Sequence, residues 1–193
     1  MKNKKTALLL AVCLSLGTLA GCSTEEINNY RQAELDLADG NFQTALEEYE
    51  TAVSDGIKVA ESYRGAGVAN VRLGNYEAAI EDFTQALNCE KVGKALKKDI
   101  LSYRAAAYLK TKSYEEALTD CQALAEGYDM DADLYFLSGE VALAMDSYEE
   151  AASYFEQAYG EDATYDMAIR IYAVYLEQDM DCLLYTSDAA DDL

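Results

Sequence analysis

Apolar positions along this chain recur with the period of an α-helix. From Tyr76 to Leu87 they fall at Tyr76, Ala79, Ile80, Phe83, Ala86 and Leu87, with steps of 3, 1, 3, 3 and 1. That is a helical stripe, not the alternation of a strand. The preceding run from Tyr63 to Leu73 has the same character and is rich in small residues, including Gly65, Ala66, Gly67 and Ala69. Gly74-Asn75 separates the two runs, as glycine does at a helix C-terminus. The pattern predicts a pair of helices joined by a tight turn. Gly67 and Ala79 are small enough to let backbones approach, and Tyr63, Tyr76 and Phe83 are large enough to fill the space between helices.

The turn and the start of its second helix return four times. They read Gly40-Asn41-Phe42-Gln43-Thr44-Ala45-Leu46, Gly74-Asn75-Tyr76-Glu77-Ala78-Ala79-Ile80, Lys112-Ser113-Tyr114-Glu115-Glu116-Ala117-Leu118 and Asp146-Ser147-Tyr148-Glu149-Glu150-Ala151-Ala152. Phe42 to Tyr76 is 34 residues, Tyr114 to Tyr148 is again 34, and the middle step is 38, with four extra residues. A fixed period in this range marks a stack of identical supersecondary units. Such stacks offer an extended concave surface for binding rather than an enclosed pocket for chemistry.

In register, these units resemble the tetratricopeptide repeat family. The second unit carries the resemblance most fully, through Tyr63, Gly67, Gly74, Tyr76, Ala79, Phe83 and Ala86. The first carries it through Ala33, Gly40, Phe42, Ala45, Tyr49 and Ala52. The third uses Leu101, Ala105, Tyr108, Tyr114 and Ala117, with Lys112 at the turn and Cys121 at the aromatic position. The fourth uses Tyr135, Gly139, Ala142, Tyr148, Ala151, Phe155 and Ala158, with Asp146 at the turn. The resemblance implies an all-α fold, an α-solenoid of antiparallel helix pairs with four full repeats and a truncated fifth. The repeats would span about 26–59, 60–93, 98–131 and 132–165, with a partial unit at 166–181. The family's usual proline after the second helix is absent, because the chain has no proline. That departure bears on the angles between repeats. A fifth first helix is expected from about Asp166 to Met180, with Ile169, Tyr172, Ala173 and Leu176 on one face. Without a second helix, that face would be exposed and prone to fraying or to pairing with another copy.

Both ends read differently from the repeats. Lys2, Lys4 and Lys5 precede an apolar run from Ala7 to Leu16, followed by small residues to Gly21. Residues 1–21 thus have the layout of a signal peptide. About 14 mainly apolar residues fall short of the roughly 18–20 that span a bilayer. Leu19-Ala20-Gly21-Cys22 resembles the lipobox of bacterial lipoproteins. The resemblance implies that Cys22 is lipidated and becomes the N-terminus, with 22–25 a short linker to the repeats. An ordinary secretory signal cleaved nearby is the alternative. Cys182-Leu183-Leu184-Tyr185-Thr186-Ser187-Asp188-Ala189-Ala190-Asp191-Asp192-Leu193 resembles a translated sequencing adapter, and the repeat pattern fails there. Residues 182–193 are therefore expected to be a non-native tail; a natural irregular terminus is the alternative.

Charge narrows the partners. The chain carries 36 acidic and 15 basic residues, a net charge of −21. That excess repels phosphate backbones and predicts no nucleic-acid partner. It also disfavours broad adhesion to anionic lipid, so the membrane link would be the acyl anchor. Acidity of this degree can accompany disorder. Here 16 Tyr and 4 Phe at regular spacing predict order instead. Of five cysteines, only Cys89 and Cys121 fall in the repeats. Cys121 takes the place of Tyr49, Phe83 and Phe155, which predicts a small buried apolar residue. A Cys89–Cys121 bridge is the other possibility outside the cytoplasm.

No catalytic constellation is visible. The chain has no histidine, hence no histidine general base or zinc site. It has neither a glycine-rich phosphate loop nor a nucleophile elbow. No cofactor, metal or small-molecule substrate is expected. The first helix of each unit lines the concave face in the resembled family. That implies a groove built from Tyr30, Glu34, Leu37, Arg64, Val68, Arg72, Ser102, Ala106, Lys110, Phe136, Glu140 and Leu143. Arg64, Arg72 and Lys110 could grip a peptide carboxylate, or form ordinary ion pairs on helix surfaces. Asp129, Asp131 and Asp133 with Glu140 have a spacing like a calcium loop, but Leu134 stands where the loop needs glycine. Capping of the following helix is the simpler role. Lys91, Lys94, Lys97 and Lys98 cluster at the four-residue insertion. They are expected in a solvated loop between repeats, or against lipid headgroups or an acidic partner.

These readings converge on a non-catalytic interaction scaffold, lipid-anchored at the outer face of a bacterial membrane, that binds a peptide or protein in its groove. Two alternatives remain: an accessory region of a longer envelope enzyme or transport machine, and a structural assembly subunit.

Overall fold

The structure, a computed structural model, describes residues 29–177. The expected signal segment at 1–21, Cys22 with the expected linker, and the expected non-native tail at 182–193 lie outside the described residues. Every regular element among the described residues is a helix. Helix α1 covers 29–39. It is followed by α2 (Phe42–Ser54), α3 (Val59–Leu73), α4 (Tyr76–Asn88), α5 (Lys94–Lys110), α6 (Tyr114–Gly127), α7 (Ala132–Ala144), α8 (Tyr148–Glu161) and α9 (Tyr165–Glu177). These are the helix pairs that the stripes predict. The chain divides into two compact units, one ending at Ile100 and one beginning at Leu101.

Four equivalent turns set the pairs. Each first helix ends in a residue with positive φ: Gly40 (84°), Gly74 (81°), Lys112 (62°) and Asp146 (59°). The amide of the next residue then reaches back to a carbonyl five positions earlier. Asn41 N donates to Asp36 O, Asn75 to Asn70, Ser113 to Tyr108 and Ser147 to Ala142, at 2.8–2.9 Å. With the shorter-range bonds Gly40 to Leu37 and Gly74 to Val71, this is a Schellman closure that satisfies the orphan carbonyls of the helix end. Lys112 and Asp146 adopt the same backbone despite a Cβ, so four turns of different sequence share one geometry.

In the first unit, α3 packs between α2 and α4. Two glycines make this approach possible. A Cβ on Gly65 would collide with the Tyr49 ring of α2, and one on Gly67 would lie 2.5 Å from Phe83 Cε1 of α4. The rings fill the space that the glycines leave, so Tyr49 and Phe83 are 2% and 0% exposed. Ala45, Ala52, Ala79 and Ala86 close the rest of the contact.

The second unit repeats the arrangement with one exchange of volume. Gly139 of α7 lies under Phe155 of α8, where a Cβ would be 2.6 Å from Cε1. In the preceding pair, Ala105 of α5 meets Cys121 of α6, both buried. The added methyl at position 105 is matched by loss of the ring at 121. Leu124, one turn later, is fully buried where the other second helices carry alanine. Cys121 is thus the small buried residue that the sequence predicts. Cys89 and Cys121 are both free thiols, which excludes the bridge. Burial pushes the Cys121 thiol up to about 11, so it is inert as a nucleophile near neutral pH.

One expectation needs correction and another is met. The lysine cluster is not simply a loop, because α5 starts at Lys94 and takes Lys94, Lys97 and Lys98 into its first turns. Helix α5 begins eighteen residues before its turn at Lys112, whereas α3 begins fifteen before Gly74. Three of the four inserted residues therefore lengthen the helix by nearly one turn, and the register of the packed face survives. The aspartate run is a helix cap: Asp131 Oδ1 accepts from Leu134 N at 3.0 Å at the start of α7. On α9, Met167 and Tyr175 are buried with α7 and α8 residues, while Tyr165, Ile169, Tyr172 and Leu176 are exposed, Tyr165 to 83%.

Candidate functional site

A concavity of the first unit lies where α1, α3 and the start of α5 present side chains together. It is a cavity of about 410 Å³ lined by Tyr30, Glu34, Leu37, Tyr49, Glu61, Arg64, Leu96 and Asp99. Of the sequence-predicted groove residues, Tyr30, Glu34, Leu37 and Arg64 meet here. Helical spacing explains the set. Tyr30, Glu34 and Leu37 are four and three residues apart on α1, and Glu61 and Arg64 are three apart on α3, so each group shares a face.

Tyr49, Glu61, Leu96 and Asp99 lie outside the sequence-predicted set. Tyr49 enters from α2 because its ring passes over Gly65 and its edge reaches this side. Leu96 belongs to the extra turn of α5, and Asp99 lies three residues beyond it. The insertion therefore supplies part of the site. One signal was available: Leu96, Asp99 and the predicted Ser102 are spaced by three, which continues the groove face back into the inserted turn.

The polar groups are mutually engaged. Tyr30 OH donates to Glu34 Oε1 at 2.9 Å. Arg64 Nε donates to Asp99 Oδ2 at 2.6 Å, with both side chains about one-third exposed. This is the ion-pairing role for Arg64, made to another helix. The Lys58 ammonium sits 4.4 Å from the centre of the Tyr30 ring. The Tyr30 and Tyr49 rings meet edge to face at 6.0 Å. Burial, then the hydrogen bond to Glu34 and the nearby carboxylates, raise the Tyr30 phenol far above its ordinary value. Burial and Glu34 push Tyr49 up to about 12. Both remain neutral, so the charge of the cavity comes from Glu34, Glu61, Arg64 and Asp99.

The other predicted residues are placed as follows. Val68 is buried on α3, and Arg72 is exposed in the last turn of that helix. In the second unit, Ser102 and Ala106 are half-buried on α5 and Lys110 is exposed at its end. Phe136 and Leu143 are buried on α7. The Arg170 guanidinium lies 4.2 Å above the Phe136 ring and donates to Asp133 at 2.7 Å. Glu140 is half-buried; burial raises its carboxyl above the ordinary range although Lys110 and Arg170 pull it down. Among the described residues, no group of three or more Cys, Asp or Glu side chains could hold a metal ion. None of their helices is long and apolar enough to cross a membrane.

Repeated helix pairs closed by one turn geometry, with a polar-aromatic concavity lined by first helices, define a helical-repeat protein. The chain belongs to the tetratricopeptide repeat family, whose repeat model matches residues 30–95 and 104–166. A curated relative, a DnaJ homolog subfamily C member 7 homolog of Dictyostelium discoideum, is 26% identical over 139 residues. Those residues are 69% of this chain but only 26% of that relative's length. Among solved structures, a MamA fragment from Desulfovibrio magneticus RS-1 superposes with a TM-score of 0.66 at 22% identity, covering 80% of this chain and 86% of that one. YrrB, described as a TPR protein with an unusual peptide-binding site, gives 0.65 at 22% identity, covering 85% and 84%. At these identities the likeness is one of fold.

Proposed function

We propose that this protein is a non-catalytic scaffold that captures an extended or helical peptide segment of a protein partner on the faces of its first helices. The observation that carries this reading is the cavity of the first unit. It joins two aromatic rings, two leucines and four charged groups from α1, α2, α3 and α5 in one open concavity. Such mixed lining suits a side chain with an apolar stem and a polar end. YrrB, similar in fold, is named for a peptide-binding site, which supports the same use of the fold here. Lipid anchoring through Cys22 at the outer face of a bacterial membrane belongs to this proposal and rests on the resemblance of Leu19-Ala20-Gly21-Cys22 to a lipobox. Two acyl chains on that cysteine would give stable attachment, where one gives marginal binding.

Site-specific photo-crosslinking in a bacterial host tests the binding. A crosslinker at Leu37 or Leu96 should capture one discrete partner, and a crosslinker at exposed Glu115 of α6 should not. Equal yields at all three positions would defeat the groove reading. Loss of membrane attachment in Cys22→Ala, with the protein still exported, is the result expected for the anchor; attachment unchanged in that variant would defeat it.

A second reading, an accessory part of a larger envelope assembly, is favoured by α9. Its Tyr165, Ile169, Tyr172 and Leu176 side chains are large, apolar and 41–83% exposed.

A further inference from the structure

The geometry points to a cationic occupant: the cavity of the first unit receives a lysine or arginine side chain of the bound segment, between Glu34 and Glu61 and against the Tyr30 and Tyr49 rings. This inference rests on the scaffold reading and specifies the chemistry of its partner. It is the opposite of the carboxylate grip that was one of two roles open to Arg64, Arg72 and Lys110, and it accords with the ion pair that Arg64 makes to Asp99.

Charge complementarity decides the sign. Three carboxylates, Glu34, Glu61 and Asp99, line the cavity against one guanidinium, Arg64. That guanidinium already donates to Asp99 at 2.6 Å. Counting Lys58, whose ammonium lies against the Tyr30 ring, the balance of these five groups is still negative. An incoming carboxylate would meet Glu34 and Glu61 and would have to compete with Asp99 for Arg64. Among the described residues Glu34 and Glu61 form no ion pair, so an incoming ammonium or guanidinium meets two carboxylates open to it. Glu34 accepts only the Tyr30 hydroxyl there, through Oε1, and a carboxylate oxygen can accept more than one hydrogen bond.

The aromatic and aliphatic lining points to the same ligand. Lysine and arginine carry three- or four-carbon stems that pack on apolar surface while the head stays with polar groups. Leu37, Leu96 and the two tyrosine rings offer that surface. Lys58 shows the chemistry within the molecule, with its ammonium 4.4 Å from the Tyr30 ring centroid. The volume, about 410 Å³, has room for one long side chain with adjoining backbone. The net charge of −21 adds long-range attraction for a basic segment, but that attraction is spread over the whole chain. The local claim therefore needs a test that separates the cavity from the overall charge.

The test uses the full chain and three fluorescent decapeptide libraries, randomised except for a central residue fixed as arginine, citrulline or glutamate. Citrulline keeps the shape of arginine and removes its charge. Anisotropy titrations should show the arginine library binding about tenfold more tightly than the other two, as a charge-assisted contact requires. Glu34→Gln with Glu61→Gln should abolish the preference. The amide that replaces the carboxylate at position 34 can still accept from the Tyr30 hydroxyl, and thermal melts should match the parent. The control, Glu115→Gln with Glu116→Gln on α6, makes the same change in net charge and should leave the preference intact. Equal binding of all three libraries would overturn the cationic inference and leave groove binding standing. Equal loss in both double variants would overturn it in favour of overall charge. No binding of any library would overturn both this inference and the scaffold reading beneath it.

Discussion

Gly67 and Phe83 occupy one space between them: a Cβ on Gly67 would lie 2.5 Å from Phe83 Cε1. The helix therefore needs glycine at that point although glycine is a poor helix former. Gly67→Ala should destabilise the protein by about 1–3 kcal/mol, the usual cost of overpacking, despite a propensity gain of about 1 kcal/mol. Gly67→Ala combined with Phe83→Leu should recover part of the loss. Urea unfolding checks both. Gly160, which has nothing within 4 Å of its would-be Cβ, is the control, and Gly160→Ala should not destabilise.

The same logic makes the third repeat a complementary case. Cys121→Phe should destabilise, because Ala105 already fills the place that glycine leaves in the second and fourth repeats. Ala105→Gly with Cys121→Phe should be less destabilised than the sum of the single changes, by about 1 kcal/mol or more in a double-mutant cycle. Additive effects would show that the two positions do not share one space.

These pairs also show how far the sequence could be read. The helix stripes, the glycine turns at Gly40 and Gly74, and the small-large pairing followed from residue types and period. The turns at Lys112 and Asp146 could be placed only by register, because nothing local to a lysine predicts positive φ. The groove was half legible. Tyr30, Glu34, Leu37 and Arg64 follow from helix-face spacing in one unit, but Leu96 and Asp99 depend on where the four extra residues went. A loop and a helix turn are equally consistent with an insertion of that length. Tyr49 depends on a ring crossing a glycine, a tertiary relationship that spacing does not encode. Val68, Phe136 and Leu143 share the predicted face but are buried by neighbouring helices.

Lys112 holds φ of 62° at a position that glycine occupies in the first two repeats. A left-handed backbone costs a residue with a Cβ about 1–2 kcal/mol. Lys112→Gly should raise stability by up to about 1 kcal/mol, less than the strain because glycine also loosens the unfolded chain. Differential scanning calorimetry would show a higher Tm.

Two ion pairs of similar length should differ in worth. Arg104 holds Asp120 by two hydrogen bonds at 2.7 and 2.8 Å, and the Asp120 side chain is only 4% exposed. Burial alone would lower the Arg104 guanidinium, but the bonds and charge of Asp120 outweigh it and hold it raised. Arg104→Ala should cost about 3 kcal/mol, because it strands a buried carboxylate. Asp133 is 78% exposed in its pair with Arg170, and Asp133→Ala should cost less than about 1 kcal/mol. Chemical denaturation distinguishes them.

Asp82 gives the protein a pH dependence. Burial pushes its carboxyl up to about 6, against the hydrogen bond from Asn70 and with help from Glu50 and Glu81. A raised folded-state value means that the protonated form favours folding. The contribution is full below about pH 4 and is lost as pH rises through about 6. Asp82→Asn keeps an acceptor for Asn70 and removes the titration. Relative to the parent, it should gain about 1 kcal/mol between pH 4 and pH 7, allowing for solvent screening of a partly exposed group. A parallel pair of stability-pH curves would refute the assignment.

The measurement that bears most directly on the account is hydrogen exchange of the full chain with and without the partner captured at Leu37 or Leu96. The account predicts slowed exchange in α1, in the first half of α3 and in the opening turns of α5, with α4 and α6 unchanged. Slowing confined to α9 or to the second helices, with α1 and α3 unaffected, would contradict it.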